Sequence, residues 1–185
     1  MTWVNSTGGP CIVVSHPNVH LWSGIGDEKA AAKGEYLPVE DFMDPDQCHY
    51  GLACSIKGSI GLVGFSSPLI PAIVVGDEPS PITVVCNDTR DGVIIVKLLY
   101  ANSEEEVQPY LDFDKLNCLT NWDGDFYFEN DFSTYLLMDS SASGFEYNLD
   151  TFISFDLTPG VYHVSSMTYQ PNPHTLLCLH RIQSE

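Results

Sequence analysis

Five places in this sequence set reactive or phosphate-binding residues at short spacing. His16 and His20 stand four apart, the separation that lets two imidazoles share a metal on a helix. Pro17 works against helix at His16 and no third ligand is near, so no zinc site is expected there. Cys48-His49 with Cys54 offers a metal pair or a thiol beside a base, but neither spacing is the usual one, and buried structure is the better reading. Asp123-x-Asp125 could grip calcium, yet the twelve-residue ligand loop is missing and turn chemistry is preferred. Gly64-Phe65-Ser66-Ser67-Pro68 breaks a nucleophile elbow with proline, and Gly58-x-x-Gly61-x-x-Gly64 lacks the Lys-Ser/Thr of a phosphate loop. No catalytic residue, cofactor or metal is therefore assigned. A carboxylate pair assembled only by folding leaves a small hydrolase as an alternative.

The elements that would position these residues are mostly strands. The most apolar stretch runs from Gly58 to Leu99 and reads as Ser59–Phe65, Ala72–Val75, Ile82–Val85 and Gly92–Tyr100, with turn residues between them. Its runs Ile73-Val74-Val75 and Val93-Ile94-Ile95-Val96 are short and β-branched, which favours a pleated surface over a helix. This stretch is expected to form one antiparallel β core. Trp3–Asn5 and Cys11–Ser15 read as strands about a Gly8-Gly9-Pro10 turn needing positive φ. Strands are also expected at Thr134–Met138, Phe152–Leu157, Val161–Tyr169 and Thr175–Ile182, with a type II turn at Pro159-Gly160. Asp123-Gly124 before Phe126-Tyr127-Phe128 signals a hairpin turn. Asp27–Gly34 reads as a short polar helical turn or a mobile loop, and short helices are expected over Gln47–Ile56 opened by Asp44-Pro45-Asp46 and after Asn102 or Ser103, where Glu104, Glu105 and Glu106 suit the first turn. The fold class is thus α+β, mainly β: an antiparallel sheet or sandwich with one or two short helices, in a single domain over residues 1–185.

Composition narrows the partners. Twenty-five acidic residues face seven Lys and Arg, a formal charge of −18. Residues 101–156 hold thirteen of the acids and one base, Lys115, a net −12. Such a field repels nucleic acid and anionic lipid and steers basic proteins inward. No apolar run approaches the roughly 18 residues of a membrane helix, and the opening residues do not resemble an export signal, so a cytoplasmic protein is expected. In that compartment the six cysteines are expected to be free thiols, as Cys86 and Cys178 inside apolar runs also suggest. Trp122, Phe126, Tyr127 and Phe128 leave a carbohydrate- or peptide-binding β module as a further alternative.

Five stretches in register resemble the immunity protein 21 family of bacterial polymorphic-toxin systems. They are Trp3-Val-Asn-Ser-Thr-Gly8-Gly9-Pro10-Cys-Ile-Val-Val, His49-Tyr50-Gly-Leu-Ala53-Cys54, Val75-Gly76-Asp77-Glu78-Pro79, Tyr100-Ala-Asn-Ser-Glu-Glu-Glu-Val, and Leu157-Thr-Pro-Gly-Val-Tyr-His-Val with Leu179-His-Arg. His49 and Leu52 stand where the family's middle motif has an acidic and a basic residue. The resemblance implies a non-enzymatic antitoxin that binds one cognate toxin domain in the cytosol and blocks its active site; the acidic charge suits a basic, nuclease-like toxin. The motif residues Trp3, Gly8, Gly9, Pro10, Tyr50, Ala53, Cys54, Gly76, Asp77 and Glu78 read as turn and core positions. The toxin-facing surface is expected at 101–132, through Glu104, Glu105, Glu106, Asp112, Asp114, Trp122, Asp123 and Asp125.

Overall fold

The β-branched runs do become strands, but they are shared between two sheets. The computed structural model describes residues 2–6, 9–26, 48–76, 80–87, 89–144 and 152–185. It contains β1 (Cys11–Ser15), β2 (Ile60–Phe65), β3 (Ile70–Val75), β4 (Ile82–Cys86), β5 (Gly92–Tyr100), β6 (Asp123–Asn130), β7 (Thr134–Asp139), β8 (Phe152–Asp156), β9 (Gly160–Asn172) and β10 (Thr175–Ser184). One antiparallel sheet has the order β2-β3-β1-β7-β8 and the other β4-β5-β10-β9-β6. Among the described residues two short α-helices, α1 (His49–Cys54) and α2 (Phe113–Asn117), accompany the sheets of a mainly β protein. The chain groups into two compact units, one of Met1–Trp3, Ser80–Ser133 and Phe155–Glu185, the other of Val4–Pro79 and Thr134–Ser154.

The apolar stretch 58–99 is therefore not one core. β2 and β3 pair along Ile60↔Val75 to Phe65↔Ile70 in the first sheet, whereas β4 and β5 pair along Ile82↔Lys97 to Cys86↔Val93 in the second. In the unit of Val4–Pro79 and Thr134–Ser154, the core gathers Ile12, Val14, Trp22, Ala53, Phe65, Val74, Leu136 and Met138. In the other, Ile94, Val96, Leu98, Leu177 and Leu179 on the sheet pack beneath Val107, Leu111 and Leu116. Both cores obey the same rule: alternate side chains of a strand share a face, and the apolar face is covered.

Several local expectations give way to tertiary pairing. β1 is buried at all five positions and lies between β3 and β7, so its ladder partners come from elsewhere in the chain. Trp3–Asn5 supplies no strand beside it, only a one-residue bridge at Val4. No helix starts at Asn102. The Asn102 amide reaches across to Glu106, the chain turns at Glu104–Val107, and Gln108–Tyr110 forms a 3₁₀ turn. Pro109 lacks the N–H that an α-helix would donate to Glu105, which stops propagation. The helix comes later, as α2, capped by the Asp112 carboxylate accepting from Lys115 N at 3.0 Å.

Asp123-Gly124 is not a turn either; it opens β6, which pairs with the distant β9 through a bulge between Gly124 and Phe126. A Cβ on residue 124 would stand 2.9 Å from His163 Nε2, so any larger residue there would have to move that ring aside. His16–Leu21 is a 3₁₀ helix with Pro17 in its first turn, where the missing N–H costs nothing. Gly160, with φ 157°, is the first residue of β9 opposite Asn130, because β8 and β9 belong to different sheets and no tight hairpin joins them. The Asp27–Gly34 helical turn or loop and the Asp44-Pro45-Asp46 helix start lie outside the described residues, while α1 falls within the expected 47–56 segment.

Candidate partner-binding surface

Of the residues expected to face a partner, all eight belong to the unit built on the second sheet. Glu105, Asp112, Asp114, Asp123 and Asp125 are exposed. Glu105 is held below the usual carboxylate range by backbone and Ser103 hydrogen bonds, and Glu106 accepts from Asn102 at 3.0 Å. Asp112 is committed to capping α2. Beside α2 lies a cleft of about 430 Å³ whose lining includes Cys86, Asn87, Asp91, Asp112, Asp114 and Gln183. Asp91 is held below the ordinary range by the Thr89 hydroxyl at 2.6 Å and by the Asn87 amide. Three carboxylates in its lining, Asp91, Asp112 and Asp114, make the recess negative.

Trp122 is half-buried and already partnered. The Arg181 guanidinium carbon lies 4.5 Å from the centre of its ring, and its Nε1 donates to Leu119 O at 2.9 Å. Arg181 also donates to Ser165 Oγ and to Asn117 Oδ1, both at 3.3 Å, tying α2 to β10 and β9. Of the aromatic run, Phe128 is buried and stacks on Tyr162 at 5.6 Å, while Tyr127 is 57% exposed and stacks on His163 at 4.6 Å. A flat aromatic platform for a sugar is thus reduced to one tyrosine.

Sequence reading missed a chain of polar groups inside this sheet. The Ser166 hydroxyl donates to Asp125 Oδ2 and lies 2.8 Å from His180 Nδ1, while His180 Nε2 lies 3.5 Å from Cys178 Sγ. A carboxylate only accepts, so the Ser166 proton is turned toward Asp125 and Ser166 Oγ accepts from His180 Nδ1–H. That leaves Nε2 to accept from the Cys178 thiol. His180 is fully buried, and burial with nearby Lys97 pushes its pKa down to about 3. The available signal was a serine pair in β9 and a histidine in β10, polar residues inside strands that otherwise read as core.

Apart from Trp3, the described family-motif residues lie in the other unit. Gly9, Pro10, Tyr50, Ala53 and Cys54 meet where β1, α1 and the end of β7 come together. Pro10 O accepts from Ser140 N at 3.1 Å and Ser140 Oγ at 2.6 Å. Cys48 caps α1 by accepting from Gly51 N at 3.3 Å. His49, at the position the family gives to an acid, sits against Trp22 and Phe65 and accepts from Ser23 N at 3.0 Å. Burial and the Cys54 hydrogen bond push the Tyr50 phenol up to about 12, and the Cys54 thiol is also pushed up by burial. Ala53 is core, and Gly76 takes a left-handed φ of 66° while its N–H reaches Ser59 O at 2.7 Å. Trp3 packs on the core under α2. Gly8, Asp77 and Glu78 lie outside the described residues.

All six cysteines are free, no group of three or more metal-ligating side chains gathers among the described residues, and no helix among them is long and apolar enough to cross a membrane. Fold and surface together define a mainly β protein that presents an acidic face. The sequence profile of the immunity protein 21 family matches residues 2–175, and the chain belongs to that family. No curated protein and no solved structure matches it.

Proposed function

We propose that this protein is an antitoxin that acts by binding: it docks on one cognate toxin domain in the cytoplasm of the producing cell and covers its active surface, without chemistry of its own. Family membership supports the antitoxin role. The finer reading, that the toxin is basic and nuclease-like, is carried by one observation. Acidic residues are concentrated in 101–132 and stand exposed on the second-sheet unit, with Lys115 the only base in that segment. A surface of this sign speeds encounter with a basic protein and disfavours direct nucleic-acid contact.

The test is co-expression with the toxin domain encoded beside this chain's gene. Cells carrying the toxin domain alone should die, cells carrying both should grow, and the purified pair should elute as one complex. Survival without a complex, or a toxin domain with an acidic surface, would refute the binding mechanism.

A further inference from the structure

The five-stranded sheets have four edges: β2, β8, β4 and β6. Three of them carry almost no charge. β2 (Ile-Gly-Leu-Val-Gly-Phe) and β4 (Ile-Thr-Val-Val-Cys) have none, and β8 has only Asp156, which is paired to Arg90 at 3.3 Å. β4 is also buried at four of its five positions, with Thr83 Oγ1 donating to Thr2 O at 2.7 Å. β6 differs in every respect. It is eight residues long, about 27 Å at the usual rise, among the described residues it pairs with β9 alone, and Asp123, Gly124, Asp125, Tyr127 and Glu129 are exposed. Asp131 follows at once, and no base lies on the strand.

An edge strand displays a row of backbone N–H and C=O groups ready to pair. Charge decides with what. Pairing with β6 of a second copy would bring Asp and Glu against Asp and Glu, which is unfavourable across a ladder. An extended segment rich in Lys and Arg meets the opposite situation. Tyr127 and Glu129 share one face of the strand, so a partner with bases at alternate positions would set one cation over the Tyr127–His163 stack and the next against Glu129.

Building on the antitoxin reading above, we infer that the free edge of β6 is the docking site, and that a basic, extended segment of the toxin adds to the second sheet as a sixth strand. Main-chain pairing supplies the affinity of such an addition and alternate side chains its specificity.

The experiment is residue-resolved amide exchange on the full chain, free and with the neighbouring toxin domain made inactive by substitution. On complex formation, alternate amides of β6, those turned away from β9, should slow at least tenfold while the amides facing β9 change little. In parallel, Tyr127→Ala and Glu129→Lys, each confirmed folded by circular dichroism, should weaken binding at least tenfold. A complex that forms with β6 exchange unchanged overturns the strand-addition inference and leaves the antitoxin reading intact. A toxin domain that does not bind at all overturns both.

Discussion

The Tyr50 ring occupies the space in which a side chain on residue 9 would begin. A Cβ built on Gly9 would stand 2.4 Å from the Tyr50 hydroxyl and 2.6 Å from its Cε2. Gly9 is not left-handed, so the reason for glycine is this close approach and not the turn that Gly8-Gly9 suggests.

Gly9→Ala should therefore push the Tyr50 ring off its seat, costing about 1–3 kcal/mol as overpacking does. Urea unfolding of the single variants and of Gly9→Ala with Tyr50→Ala should show the cost shrink in the double variant. Equal costs in both backgrounds would separate the two residues. The phenol provides a second reading. With its folded pKa at about 12, above the ordinary 10, Tyr50 adds stability that is present below pH 10 and lost as pH rises toward 12. Absorbance titration of Gly9→Ala should show that phenol moving back toward 10.

His180 should make the fold acid-sensitive. Its folded pKa of about 3 lies below the ordinary 6.5, so the unfolded chain takes the proton first. Stability is then full above about 6.5 and falls toward pH 3 by about 1.4 kcal/mol per pH unit from this one group. The many carboxylates titrate too, so the measure is the difference between wild type and His180→Gln, which should be flat above pH 6.5 and slope below it. A difference that stays flat down to pH 4 would remove His180 as the cause.

Replacing Glu104, Glu105 and Glu106 together by Gln should slow association with the toxin domain and flatten its dependence on salt, leaving the dissociation rate nearly unchanged. These side chains lie on a surface turn that Val107 and Leu111 anchor to the core. Rim charges act on the encounter, and at physiological salt their reach is about 8 Å. Stopped-flow association at several ionic strengths checks this. Identical slopes for wild type and variant would reduce the triplet to a solubility device.

Thiol reactivity should follow burial and field. Cys118 is exposed and should react first with a disulfide reagent at pH 8. Cys86 should lag although it reaches the surface, because partial burial and Asp156 push its thiol up. Cys11, Cys48 and Cys178 are buried and should react only on unfolding. Six thiols counted in denaturant without reductant confirm the free state; two or fewer would contradict it.

Strand location was legible where the chemistry is local. Ile73–Val75, Val93–Val96 and the β9–β10 alternation announce themselves, since β-branched residues fit a pleated surface whatever they pair with. Partner choice was not legible. Nothing in Ile82–Tyr100 says that it leaves the sheet of Ile60–Val75, and Asp123-Gly124 reads as a turn until β9 claims it as a ladder. The acidic segment was visible in composition alone, but the split of labour within it was not. Asp112 spends its carboxylate on a helix cap, Trp122 lies beneath Arg181, Asp125 accepts from Ser166, and Asp123 and Glu129 stand exposed on the edge strand β6.

The strand order also sets a timetable. β1 needs β7 at its second edge and β5 needs β10, so each sheet waits for a strand made much later. While the chain is being synthesised, the all-buried β1 and the apolar β5 are held without their full complement of neighbours, and long-range pairings of this kind form slowly. Half a molecule offers no shelter. A chain cut before β7 would leave both sheets without members, so truncations of the C-terminal half should not fold.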